Sequence, residues 1–176
     1  MLNVHITLQQ LLESREHRAA RQRLILDRFG FPLVSVTVVQ PGEVKNNSNS
    51  RFLMAIARQE IAAKLQESGY QILWQWHENL ATGPEALYSV KTDATALKSC
   101  CIELEEHHPL GRLWDIDVID LDEKPVSRDM VDRLPRRCLI CNADAHRCSR
   151  SREHSQDSLT DEISRRVSEF QQLSKC

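Results

Sequence analysis

The run Trp-Asp-Ile-Asp-Val at 114–118 restricts the fold of this chain more than any other stretch. Apolar and acidic residues alternate one by one, which is the pattern of a half-buried β-strand. Trp114, Ile116 and Val118 then share one face, which has to be covered. Leu113, Asp115, Asp117 and Ile119 share the other. The two carboxylates stand side by side, about 6.5–7 Å apart along the strand at ~3.3 Å per residue. Carboxylates that close repel unless a positive group lies between them or water screens them. Two readings follow, a hydrated strand face or a cleft that holds a divalent cation. Leu113 and Ile119 on the same face point towards a lined cleft, and on this pattern alone both readings stand.

The rest of the chain supplies the covering elements. Residues 7–29 carry a helical stripe of Leu8, Leu11, Leu12, Ala19, Leu26 and Phe29, stopped by Gly30 and Pro32. Arg15, Arg18 and Gln22 line one flank of it, as a solvated face or a phosphate-facing one. "PLVSVTVV" at 32–39 reads as an interior strand that ends in the polar turn "QPGEVKNNSNS". Helical spacing returns over 51–67. "YQILWQW" and "EALYSV" read as two strands separated by "HENLATGP". "DATALKSCCIELEEHH" is a helix leading into the aspartate strand. "DLDEKP" is a turn after which "VSRDM" returns as a hairpin partner. A Cys- and Arg-rich segment follows at 134–155, and a last helix over 156–174 places Leu159, Ile163, Val167 and Phe170 on one side. Helices and strands alternate without a βαβ repeat. The expected fold is therefore α+β, one domain over 1–176 with a mixed or antiparallel sheet and helices packed against it.

Charge is distributed unevenly although the net charge is only −2. Between 103 and 123 there are eight acidic side chains and one basic, Arg112. Between 128 and 152 there are seven arginines against Asp129, Asp132 and Asp144. Carboxylates for a cation beside forked guanidinium donors suit a metal-polyphosphate ligand, and they also suit two solvated surfaces that neutralise each other. The balanced total gives no bulk attraction to nucleic acid or anionic membrane. With no apolar run of about 20 residues and no signal-like N-terminus, the expectation is a cytoplasmic protein.

In such a compartment disulfides are not expected among Cys100, Cys101, Cys138, Cys141, Cys148 and Cys176. Cys100 and Cys101 read as small buried hydrophobes on a helix. Cys138, Cys141, Cys148 and His154 form C-x2-C-x6-C-x5-H, with His146 as a second imidazole. Such donors can close a tetrahedral structural zinc site, or they are thiols without metal. The chain has no Gly-rich phosphate loop, no G-x-S-x-G and no zincin motif. It offers no strong nucleophile of its own, so group transfer would need one supplied by the substrate.

"SREHRAARQ", "PLVSVTVVQPGEVKN", "IELEEHHPLGRLWDIDVI" and "LPRRCLICNADAHRCSRSREHS" together resemble the CitX family, apo-citrate lyase phosphoribosyl-dephospho-CoA transferases, over about residues 8–172. The resemblance implies a nucleotidyltransferase-like reaction. The phosphoribosyl-dephospho-CoA part of 2′-(5″-triphosphoribosyl)-3′-dephospho-CoA passes to a serine of the citrate lyase acyl carrier subunit, and pyrophosphate leaves. It implies Asp115 and Asp117 as Mg²⁺ ligands, one of which also draws the proton from the serine. Arg112, Arg136 and Arg137 would bind the triphosphate, and His108 or its neighbour His107 would be the base if an aspartate is not. The chain lacks the Gly-Ser pair that nucleotidyltransferase folds place upstream of their aspartates, so it departs from that wider pattern. A related transferase for another carrier, such as that of malonate decarboxylase, and a zinc-stapled adaptor without enzymatic activity are the alternative readings.

Overall fold

The computed structural model describes residues 4–141 and 143–173; Cys176 lies outside them. Helix α1 (Leu8–Phe29) starts at a capping box, in which Thr7 Oγ1 accepts from the Gln10 amide and the Gln10 side chain accepts from the Thr7 amide. It ends at Gly30, whose φ of 65° is open to glycine at no steric cost and whose N–H returns to Leu26 O. Strand β1 (Leu33–Val38) follows, then α2 (Ser48–Glu67), which opens on a second capping box between Asn47 and Ser50. Next come β2 (Gln71–Leu80), β3 (Gly83–Lys91) and α3 (Ala94–His107), the last capped by Asp93. Strand β4 (Trp114–Ile119), the short α4 (Ala145–Ser151) and α5 (Gln156–Leu173) complete the order. Among the described residues no helix is long and apolar enough to cross a membrane.

The sheet runs β2-β3-β1-β4, and every pairing is antiparallel. Register places Val36 opposite Ile116, and Ser35 and Thr37 opposite Asp117 and Asp115. One face therefore carries Val34, Val36, Tyr88, Val90, Trp114, Ile116 and Val118. These pack with Leu53, Ala57 and Ile61 of α2, Leu97 and Cys101 of α3, and Ile163 and Val167 of α5 into the main core. The other face is covered only partly. Ile25 and Leu26 of α1 close over Leu33 and Ile119, with Phe29 and Trp74 beside them. Further along, α1 is held by polar contacts, Gln22 Nε2 donating to Ser35 Oγ at 3.0 Å and the Arg21 guanidinium lying 3.8 Å over Trp76. This leaves the aspartate side of β4 uncovered, so the alternation that set the strand also set which part of its face stays open.

Two local expectations are corrected. The strand expected to stop at Trp76 continues to Leu80 and turns back through Ala81 and Thr82, because "HENL" sits on an edge strand where polar residues cost nothing. "VSRDM" forms no strand. Its contact with β4 is limited to the Ile119–Pro125 bridge and the bond from Val126 N to Val118 O, after which Asp129–Val131 is a 3-10 turn. The backbone turns on itself here, with Arg128 O accepting from Val131 N and Arg133 N, while the Arg128 guanidinium reaches Glu105 and Glu106.

Candidate functional site

An edge strand leaves a row of backbone donors and acceptors unpaired. Along β4 the side chains of α3 and of the arginine-rich segment occupy that row. Ile116 N donates to Glu105 Oε1 at 3.3 Å, and Lys98 Nζ donates to Ile116 O at 3.1 Å. Arg136 Nη2 donates to the carbonyls of Trp114 and Arg112. Gly111 brings the start of β4 against the end of α3. A Cβ there would lie 2.4 Å from Leu104 O and 2.6 Å from Glu105 O, a close approach that only glycine allows. The edge is thus blunted against other chains and also furnished with charge.

Asp115 and Asp117 project from the open face of this strand. Arg136 Nη1 lies 3.0 Å from Asp115 Oδ1, so the first carboxylate has a cationic partner. Asp117 has none at that distance among the described residues. It meets solvent on the cleft side and protein elsewhere. Partial burial, with the Asp115 charge beside it, pushes its pKa up against the smaller pull of Lys98. A carboxylate held this way gains when a cation arrives.

The pair lies on a ridge between two clefts. The larger, about 1340 Å³, runs from Lys98, Arg112 and Ile116 across to Arg136, Arg137 and Leu159. The smaller, about 420 Å³, lies between α1 and the aspartate face. Of the three expected phosphate-binding arginines, Arg112 stands in the larger cleft with its guanidinium in no hydrogen bond or ion pair among the described residues. Burial and the neighbouring Arg136 and Arg128 push its pKa down. Arg136 bridges Asp115 and the strand edge, and Arg137 is exposed on the same cleft.

His108 is placed elsewhere. Its ring stacks on Trp114 at 4.5 Å and lies 5.3 Å from Phe170, on the covered face of β4, and lines neither cleft. Its Nδ1 accepts from Leu110 N at 3.0 Å, and burial holds its pKa below the ordinary value. His107 is exposed, with Nδ1 2.9 Å from Glu103 O. The structure does not bring either histidine to the aspartates.

The sulfur atoms of Cys138, Cys141 and Cys148 and a ring nitrogen of His154 all lie within 4.8 Å of one another. Cys141 Sγ is 3.5 Å from Cys148 Sγ and 3.3 Å from His154 Nε2. The four residues come from the loop after β4, from α4 and from the residues before α5, so a common ligand would tie three segments together. Burial alone would raise the Cys138 thiol, but bonds from the Cys141 and Ile140 backbone and from the other two thiols draw it down to about 7. The cluster could hold a metal ion. His146 is exposed and outside it, and Cys100 and Cys101 are buried in the core as expected.

Sequence reading missed Lys98, Glu105, Arg128 and Lys45. Lys98 and Glu105 fall among the apolar positions of α3, and a charge on a buried helix face was the available signal.

A family model described as apo-citrate lyase phosphoribosyl-dephospho-CoA transferase, CitX, matches residues 6–170. Proteins of that name from Shigella boydii serotype 18 and Escherichia coli O157:H7 are each 39% identical over 171 residues, covering 97% of this chain and 92% of the relative.

Proposed function

The chain belongs to the apo-citrate lyase phosphoribosyl-dephospho-CoA transferase family, and from that premise we propose a reaction for the β4 ridge. The phosphoribosyl-dephospho-CoA group of 2′-(5″-triphosphoribosyl)-3′-dephospho-CoA is transferred to a serine of the citrate lyase acyl carrier protein. The serine Oγ forms a bond to the α-phosphorus. The bond from that phosphorus to the bridging oxygen breaks, and its electron pair leaves with pyrophosphate. Asp117, whose carboxylate no arginine holds, accepts the serine proton. Arg112, Arg136 and Arg137 grip oxygens of the α-phosphate and of the group being transferred from the large cleft, through forked guanidinium donors. The observation that carries this reading is the carboxylate pair between an arginine-lined cavity and a second cleft, in a chain whose sequence shows no nucleophile motif.

Asp115 and Asp117 offer hard oxygen donors on one face, a set that suits Mg²⁺. Bound there, the ion would neutralise charge on the phosphate oxygens. The three thiolates and one imidazole of Cys138, Cys141, Cys148 and His154 are a soft set, and we assign them to structural Zn²⁺. Its tetrahedral shell at about 2.3 Å from sulfur needs ligand atoms spaced as closely as these. The cytoplasm, where thiols stay reduced, is the compartment this reading requires.

The test is to offer the protein the apo carrier proteins of citrate lyase and of malonate decarboxylase separately, with triphosphoribosyl-dephospho-CoA and Mg²⁺. A mass gain on the citrate lyase carrier alone is the expected result. A gain only on the other carrier, or on neither, refutes the assignment.

A further inference from the structure

The smaller cleft shares Asp115 and Asp117 with the large one but draws its opposite wall from α1 and the loop after β1. Arg15, Arg18 and Gln22 face Thr37, Gln40 and Lys45 across it. Arg18 is committed, with Nε 3.1 Å from Glu85 Oε1. Arg15 and Lys45 are not. Lys45 Nζ donates to the Gln40 carbonyl at 2.6 Å and has no carboxylate within ion-pair distance among the described residues. The Arg15 side chain makes no hydrogen bond or ion pair among them. The two cations feel each other, since burial first and then the Arg15 charge push the Lys45 pKa down. Two unneutralised cations kept close in a concave polar site are arranged for a small, highly charged anion.

We infer that this cleft is the seat of the leaving diphosphate, with Arg15 and Lys45 as its ligands across the aspartate pair from the rest of the substrate. The inference rests on the transferase reading above and extends it. At about 420 Å³ the cleft has room for a diphosphate, while the cavity of about 1340 Å³ is of the size for a nucleotide with its pantetheine arm. The α-phosphorus then sits at the ridge. When its bond to the bridging oxygen breaks, that oxygen keeps the electron pair and departs on the α1 side, where Arg15 and Lys45 meet the new charge. The large cleft keeps the phosphoribosyl-dephospho-CoA part for the incoming serine.

The experiment uses calorimetric titration of the full-length protein with inorganic pyrophosphate and Mg²⁺, and separately with dephospho-CoA. Arg15→Gln and Lys45→Gln are each expected to weaken pyrophosphate binding about tenfold or more, the loss of one charge-assisted contact. Dephospho-CoA affinity should stay within about twofold of the parent. An unchanged pyrophosphate affinity in both variants overturns the inference. So does an equal loss for dephospho-CoA, or a parent protein that does not bind pyrophosphate. If no carrier protein is modified but pyrophosphate binding still depends on Arg15 and Lys45, the diphosphate seat stands and the transferase reading falls.

Discussion

Replacing Arg128 by Met tests the way the arginine-rich segment is fastened to the sheet edge. The Arg128 and Glu105 side chains are only 13% and 5% exposed, and the guanidinium also reaches Glu106 at 2.8 Å. Removing it leaves the Glu105 carboxylate buried with the Ile116 amide as its remaining partner at 3.3 Å. Stranding one member of a buried pair costs about 3–5 kcal/mol. For a domain of this size each kcal/mol moves the midpoint about 2–4 °C, so Arg128→Met should lower Tm by roughly 6–20 °C. Thermal and urea unfolding followed by circular dichroism measure the loss. Glu105→Gln with Arg128→Met should recover about 2 kcal/mol relative to the sum of the single variants, because no unpaired charge then remains. A loss below about 1 kcal/mol for Arg128→Met, or strict additivity in the cycle, would refute the claim that this pair clamps the edge.

Gly111→Ala should cost about 1–3 kcal/mol in urea unfolding, because the new methyl meets the Leu104 and Glu105 carbonyls; an unchanged midpoint contradicts the close approach. His108 keeps its pKa below 6.5 in the folded protein, so the unfolded chain binds its proton first. Stability should therefore fall as pH drops from about 6.5 through the folded value, and His108→Asn, which keeps an acceptor for Leu110 N but cannot titrate, should flatten that slope. Elemental analysis of purified protein should find about one zinc per chain, and Cys141→Ser should lower both zinc content and Tm. Zinc near zero in the parent removes that assignment.

Element identity was legible where local rules decide it. The extent of α1 follows from its apolar stripe and the stop at Gly30, and the β4 faces from strict alternation at 114–118. The clustering of Cys138, Cys141, Cys148 and His154 was also visible, since short spacing brings them together whatever the rest of the fold does. What could not be read is what the tertiary fold alone decides. Nothing local says that Lys98 caps the carbonyl of Ile116, or that Arg15 on α1 faces Lys45 beyond β1. Arg128 shows the same limit. Its neighbours promised a hairpin strand, and nothing local says that its guanidinium pairs with a buried carboxylate on α3. His108 looked available for chemistry because two histidines ended a helix, but Trp114 and Phe170 take its ring into the packing.

The central claim is that Asp115 and Asp117 together carry the transfer. The direct measurement is the rate of mass gain on apo acyl carrier protein of citrate lyase, with Asp115→Asn and Asp117→Asn compared with the parent. Each variant should be slower by about a hundredfold or more. Asp117→Asn should keep its Tm, since it removes a charge that its surroundings disfavour. Carrier modification at parental rate in either variant would contradict the account.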